Sequence, residues 1–427
     1  MLIFNPFLNV SIIYWFLMLT DGALRMLVLM HFHDKGYSPF TLAYIFLLYE
    51  FMGVITNFMA GIFGRRFGLS TLLIAGTSLQ ILSLTSLGLL SVNSPEWFMI
   101  FCLIFFQGLC GVAKDLTKIG SKTAVKFLSN ENIKGKLFRN VSWLTGSKNT
   151  VKGIGFFVGA FLITIHPFSI SLYILAFILF IALMIALYPV LKTPELNTKS
   201  NRVRSDGKVF SDISSINYLS LSRIFLFGAR DIWFVIGIPL FLLEVFSTMF
   251  VTGSNGKVVF LLVGSFMALW VIFYGFVQSQ VPAIIQRRTD FNIESSAFRW
   301  SIIVIFPTLF LTLLTFVFDN TLSVTLIVII ITLLFIFGGF FAINSSIHSY
   351  LILKLTSQKK ASEDVGFYYS ANAVGRFVGT LLSGVSYQLG GLSLCLFFTT
   401  VFLVCSSCFM AILAKKDLIT RFNNESL

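Results

Sequence analysis

The sequence predicts an all-α integral membrane protein of about twelve transmembrane helices in two six-helix halves. Three observations carry that expectation. Of its 427 residues, 56% are hydrophobic and only 11% are charged, with a mean hydropathy of +0.89, where a soluble domain carries about 25% charged residues. The apolar runs recur at the interval a bilayer imposes: about 20 residues to cross about 30 Å of hydrocarbon plus a short turn, roughly 35 residues per span. Near the middle lies one long polar stretch, KTPELNTKSNRVRSDGKVFSD, without apolar periodicity, which reads as a linker. The expected division is an N-terminal half at 1–191, a cytoplasmic linker at 192–217 and a C-terminal half at 218–427.

Taken in order, the first span runs from about Phe7 to His31 and holds Asp21 and Arg25, one helical turn apart and able to pair. Arg25 is the first basic residue, so no basic leader precedes this span and it is expected to be permanent rather than a cleaved signal. His31 and His33 read as solvated side chains at a helix exit, not as a metal site. The second span, about Pro39 to Phe63, carries Glu50; the third, Leu69 to Leu90, carries no charge. The fourth begins at Trp97 and carries Lys114, Asp115, Lys118, Lys122 and Lys126; the fifth, Val141 to Ile165, carries Lys148 and Lys152. The sixth, Phe168 to Val190, is charge-free. Beyond the linker, the seventh span (Tyr218 to Val245) holds Arg223, Arg230, Asp231 and Glu244, and the eighth covers Val258 to Val281. The ninth (Trp300 to Phe318) is charge-free, the tenth (Leu322 to Tyr350) holds only His348, and the eleventh (Val365 to Gln388) holds Arg376. The twelfth, Leu392 to Ala414, is charge-free again. Every third span thus lacks charge, as repeats of three helices would produce if the third member of each sat at the periphery.

Loop charge sets the orientation. Arg65, Arg66, Lys134, Lys136, Lys192, Lys199, Arg202, Arg204, Lys208, Arg287, Arg288, Lys359, Lys360, Lys415, Lys416 and Arg421 fall on one side, and only Lys35 and Lys257 on the other. The positive-inside rule then puts both termini and the linker in the cytoplasm, with the chain in the cell (inner) membrane. The formal charge of +13 is scattered through short loops and spans, so it reads as orientation and substrate attraction rather than as a nucleic-acid surface.

The charges inside the spans carry the functional expectation. Lys114, Lys118, Lys122 and Lys126 recur every four residues, as do Lys148 and Lys152, which puts each set on one helical face. A charge near the bilayer centre costs about 2.5–3.5 kcal/mol on insertion scales, so such residues face a cavity or a partner. Two neighbouring helices with lysine faces imply a polar passage that attracts anions. The candidate substrate-binding residues are Lys148, Lys152, Arg230, Arg376, Lys114, Lys118 and Arg25; Lys122 and Lys126 read as snorkelling to the interface. Asp21, Glu50, Asp115 and Asp231 are candidate coupling or ion-pair residues, Asp115 with Lys118, Asp231 with Arg230, and Asp21 with Arg25. Gly155, Gly159, Gly375 and Gly379 fit close helix packing. The five cysteines, Cys102, Cys110, Cys395, Cys405 and Cys408, lie in apolar runs as small hydrophobes. No nucleophile triad, phosphate-cradling GxxxxGK[ST] or metal-ligand spacing occurs, so neither an enzyme nor an ATP-driven pump is expected, and no cofactor.

Some of these residues resemble a known family. GIFGRRFG, between spans two and three, resembles the major facilitator superfamily signature Gly-x-Leu-Ala-Asp-Arg-Phe-Gly-Arg-Arg: Gly61, Arg66, Phe67 and Gly68 match, while Arg65 stands in place of the Asp and Leu69-Ser70 in place of the basic pair. QGLCG at Gln107 to Gly111 resembles that superfamily's Arg-x-x-Gln-Gly-x-Gly, with Ile104 in place of the arginine and the basic role passing to Lys114. The blocks TDGALRMLVLMHFHDKGYSPFTLAYIFLLYEFMGVITN, GVAKDLTKIGSKTAVK, WLTGSKNTVKGIGFFVGA and YYSANAVGRFVGTLLSG resemble the ArsJ-type organoarsenical efflux permeases of that superfamily. The resemblance implies export of 1-arseno-3-phosphoglycerate, hence arsenate resistance and a functional link to the glyceraldehyde-3-phosphate dehydrogenase that makes the ester. The residues themselves leave open a general organic-anion or sugar-phosphate carrier, and from other classes a lipid flippase, a membrane enzyme or a channel.

Overall fold

A computed structural model of the chain describes residues 6–90, 95–128, 136–197, 211–250, 256–285, 293–317, 323–356 and 361–425. Among these, all regular structure is helical. The N-terminal half comprises α1 (Pro6–Asp34), α2 (Pro39–Phe67), α3 (Leu69–Gly88), α4 (Glu96–Leu128), α5 (Lys136–Ile165) and α6 (Phe168–Lys192), followed by the short α7 (Pro194–Asn197). The seventh span joins α8 (Ser214–Ile232), a π-helical turn (Trp233–Gly237) and α9 (Ile238–Phe250); the eighth is α10 (Gly256–Ile285). The ninth joins α11 (Ile293–Ile303) and α12 (Ile305–Val317), the tenth is α13 (Val324–Leu355), and α14 (Ala361–Glu425) holds the last two.

Eleven helical segments of the described chain have the length and apolarity to cross a bilayer, and the last of them, Asp364–Lys416, is 53 residues long. It is bent at Gly390 and Gly391, where Gly391 has φ 57° and ψ −153°, a conformation open only to glycine. The two arms fold back on each other. Gly375 lies against the Ile224 carbonyl and Gly379 against that of Gly228, while past the bend the Thr399 hydroxyl donates to Ala229 O at 3.0 Å and Ser406 to Ser222 O at 3.0 Å. The same levels of α8 are met in reverse order, so twelve crossings result.

Glycines set the helix pairing. A Cβ on Gly155 or Gly159 would lie 2.2 or 2.3 Å from a carbonyl oxygen of α1, and one on Gly375 or Gly379 would lie 2.1 or 2.6 Å from one of α8. The fifth span thus packs on the first as the eleventh packs on the seventh, by small residues that let backbones touch where lipid supplies no hydrophobic drive. Between the halves, α5 lies along α10 through Gly146 against Gly275 and Gly153 against Ala268, and α2 lies along the first arm of α14 through Ala43 against Gly384.

The apolar core differs at the two ends. At the end away from the linker one continuous cluster joins both halves, with Leu27, Phe46, Phe156 and Leu175 of the first beside Trp233, Trp270, Phe337 and Leu396 of the second. At the linker end it breaks into smaller clusters, a C-terminal one around Ile216, Leu351, Tyr368 and Met410 and N-terminal ones around Leu73 and Ala186 and around Tyr14 and Leu144, with Leu353 packed against both the first and the last.

Several boundaries differ from the sequence reading. GIFGRRFG is not a loop: α2 continues through it, and the connection is the single residue Gly68, held at φ 88°. The linker opens on an ordered turn, where Asn197 Nδ2 donates to Leu191 O at 2.7 Å and Leu196 is fully buried, and α8 begins at Ser214. The ninth span starts at Ile293, so it includes the buried Glu294, paired with Lys354 at 2.7 Å. Of the orientation set, Lys134, Lys199, Arg202, Arg204, Lys208, Arg287, Arg288, Lys359 and Lys360 lie outside the described residues, as do the side chains of Arg65, Arg66, Lys126, Lys136 and Arg421.

Candidate functional site

Between the halves lies a cavity of about 110 Å³, room for several waters at roughly 10–15 Å³ each. Its walls come from α1, α4 and α5 on one side and from α8, α10, α13 and the first arm of α14 on the other. Spans three, six, nine and twelve contribute no lining residue; span two contributes none either, and span nine, which starts at Ile293, carries Glu294 and Arg299, so the expectation that it is charge-free does not hold. The far end is closed by rings: Phe156, Phe234 and Trp270 line it, with Phe234 and Trp270 centroids 5.0 Å apart and Trp233 edge-on to Trp270 at 5.3 Å.

Helical spacing brings the charged residues to this space. On α4, Lys114, Lys118 and Lys122 share one face; on α5, Thr145, Lys148, Asn149 and Lys152 do, at i, i+3, i+4 and i+7. On α8, Arg223, Phe227 and Arg230 line the wall just before the π-turn, a device that inserts one residue and re-aims the rest of the helix. Nine cations face the cavity: Arg25, Lys114, Lys118, Lys122, Lys148, Lys152, Arg223, Arg230 and Arg376. Among the described residues, four carboxylates balance them, Asp21, Glu50, Asp115 and Asp231, leaving five positive charges in excess.

The carboxylates are distributed unevenly. Glu50 Oε1 on α2 accepts from Arg25 Nη2 at 2.7 Å and from Arg376 Nη2 at 2.5 Å, so one oxygen ties the two halves together. Arg376 Nε also donates to Asp231 Oδ2 at 3.0 Å, and Arg230 Nη2 lies 2.5 Å from Asp231 Oδ1. Lys152 pairs with Asp21 at 2.5 Å, and Asp21 takes the Tyr49 hydroxyl as well. Lys118 is bonded to Asp115; Lys114 lies 3.6 Å from Asp115 and 4.0 Å from Glu50. Toward the linker the balance fails. Lys122 Nζ donates to Tyr369 Oη across the halves at 2.6 Å. Arg223 donates to Asn372 Oδ1 at 2.9 Å and Ser345 O at 3.2 Å and sits 3.9 Å over the Phe227 ring. Lys148 has neither ion pair nor hydrogen bond among the described residues; its ammonium lies 5.9 Å from the Tyr14 ring centroid.

All seven cations singled out from the sequence line this cavity. Two expectations are corrected. Asp21 and Arg25 do not pair: α2 and α5 offer each a closer partner, Glu50 for Arg25 and Lys152 for Asp21. Lys122 does not snorkel; the α4 face that carries Lys118 turns it inward onto Tyr369. Arg223 was missed as a site residue, although it stands seven residues before Arg230, two helical turns along one face. Tyr14 and Thr145 carry no signal in a sequence rich in hydroxyls. Among the described residues no three His, Cys, Asp or Glu side chains converge as metal ligands, and His31 stacks on Phe168 at 4.5 Å.

Twelve spans in two similarly paired sets, with a charged cavity between them, have the architecture of a secondary transporter. The chain belongs to the Major Facilitator Superfamily, whose model matches residues 10–380. Its fold is similar to a bacterial homologue of the iron transporter ferroportin in an outward-facing state, with a TM-score of 0.70, 12% identity and coverage of 96% of this chain and 99% of that one. It is also similar to a mutant of the nucleoside transporter NupG, with a TM-score of 0.66, 14% identity and the same coverage of 96% and 99%. At such identities the likeness establishes the fold. Among curated protein sequences none matches the chain.

Proposed function

We propose that this transporter carries a small organic anion outward by alternating access, the segments 1–191 and 218–427 rocking about the central cavity. The observation that carries the reading is the excess of five positive charges facing an enclosed space between the halves, which an anionic cargo would neutralise. The core is large and continuous at the end away from the linker, while at the linker end the apolar clusters of the two halves share only Leu353 among the described residues; this thinner seam favours a way in on the linker side, the cytoplasmic side if the loop charges set the orientation.

The resemblance to organoarsenical efflux permeases makes 1-arseno-3-phosphoglycerate the specific cargo, arsenate resistance the outcome, and the dehydrogenase that makes the ester its metabolic partner. A sugar-phosphate or other organic-anion carrier is the second reading, favoured because the ammonium, guanidinium and hydroxyl donors of the cavity wall serve any phosphorylated anion equally. Everted vesicles supplied with arsenate, glyceraldehyde-3-phosphate dehydrogenase and triose phosphate separate the two. Arsenic accumulation that needs the dehydrogenase supports the ester; accumulation without the enzyme overturns it. Uptake of phosphorylated anions with no arsenic uptake selects the second reading.

A further inference from the structure

We infer that the linker-side part of the cavity is the seat of a tetrahedral oxyanion group, a phosphate or arsenate ester, bound by Lys148, Tyr14 and Thr145, with Lys122 and Arg223 supplying the balancing charge. The inference rests on the anion-carrier reading and assigns the anion to residues other than the arginines at the centre of the cavity.

Three observations support it. Tyr14 Oη and Thr145 Oγ1 are buried, belong to residues that line the cavity, and have no hydrogen-bond partner among the described residues. Buried hydroxyls are normally satisfied, and unsatisfied ones call for a water, ion or ligand. Beside them Lys148 has neither ion pair nor hydrogen bond among the described residues, and the neighbouring wall of the cavity carries Lys122, Lys152 and Arg223. A lone lysine among cations inside a membrane either gives up its proton or draws in an anion, and an anion bound beside it keeps it charged. By contrast, Arg25, Arg230 and Arg376 already hold carboxylate oxygens at 2.5–3.0 Å, so an anion would reach them only by displacing Glu50 or Asp231.

The donor set also selects the shape of the group. A carboxylate offers two coplanar oxygens and one charge, and matches the planar fork of arginine. Here the free donors are one ammonium and two hydroxyls from α1 and α5, with Lys122 and Arg223 on α4 and α8. Point-like donors arriving from several helices fit an acceptor with three oxygens in different directions and up to two charges. The linker-side excess of three positive charges, from Lys122, Lys148 and Arg223, suits a dianionic group better than a monoanion.

The test is calorimetric titration of the full chain in phosphatidylcholine nanodiscs, which present no anionic headgroup, with 3-phosphoglycerate, glycerate and inorganic phosphate as probes. Wild type is expected to bind 3-phosphoglycerate more tightly than glycerate, with inorganic phosphate competing. Tyr14→Phe and Thr145→Val should each weaken 3-phosphoglycerate binding about tenfold, and Lys148→Gln about a hundredfold, with glycerate binding changed less than twofold. Because neither hydroxyl has a protein partner, the thermal midpoints of Tyr14→Phe and Thr145→Val should match wild type. A lowered midpoint would show a structural role and overturn the seat. Wild-type affinity for 3-phosphoglycerate in these variants, or equal loss for glycerate, overturns the seat and leaves the carrier reading standing. A wild type that binds no probe overturns both.

Discussion

Two groups of cations share one cavity and differ in what balances them. At the centre, Arg25, Arg376, Arg230 and Lys152 are locked to Glu50, Asp231 and Asp21 at 2.5–3.0 Å. Toward the linker, Lys122, Lys148 and Arg223 have only hydroxyl, amide, carbonyl or ring partners, or none. Both groups lie in the same cavity wall, and what separates them is a carboxylate partner. In the paired set the Glu50–Arg376 contact ties the two halves together, while the unpaired set is the one proposed to meet the cargo.

Substitutions sharpen that contrast. Glu50→Gln leaves Arg25 and Arg376 without the anion they share and should cost about 3–5 kcal/mol, seen as a large fall in the thermal midpoint together with loss of transport. Asp21→Asn strands Lys152 and should cost about 3 kcal/mol, with most of it recovered in the double variant with Lys152→Met, since an apolar replacement of a buried pair is close to neutral; unfolding of both variants in the same detergent checks this. Lys148→Met should act in the opposite sense, raising stability by about 1–3 kcal/mol by removing an unpaired buried ion while anion binding is lost. A midpoint that falls instead would place Lys148 with the paired set. Tyr369→Phe takes away the acceptor for Lys122 and should cost only about 0.5–1.5 kcal/mol, with a change of a few fold in the affinity measured by titration.

Much of this was legible in the sequence for stated reasons. The twelve crossings follow from apolar run length; the charge-free rhythm of every third span fails at the ninth, whose true start at Ile293 brings in Glu294 and Arg299. The lysine faces of α4 and α5 follow from spacing alone. What spacing could not give is the choice between partners on different helices: Arg25 has a carboxylate one turn away in its own helix, yet takes Glu50 from α2. The inward turn of Lys122 was missed because its distance along the helix suggested the interface, whereas the helix–helix packing around Tyr369 keeps it inside. The π-turn at Trp233–Gly237 has no sequence signature of its own; the structure shows it through Ile236 and Gly237 N–H groups donating to Ser383 Oγ at 3.1 and 3.3 Å.

The stack of rings over the far end of the cavity has a consequence for energy conservation. Tryptophan and phenylalanine edges packed centroid to centroid at 5.0–6.0 Å leave no room for a file of waters, and a dry plug of this kind blocks ions by dewetting. Protons then have no file of waters along which to hop past the rings. The cell can keep this carrier loaded and waiting without draining its transmembrane gradient.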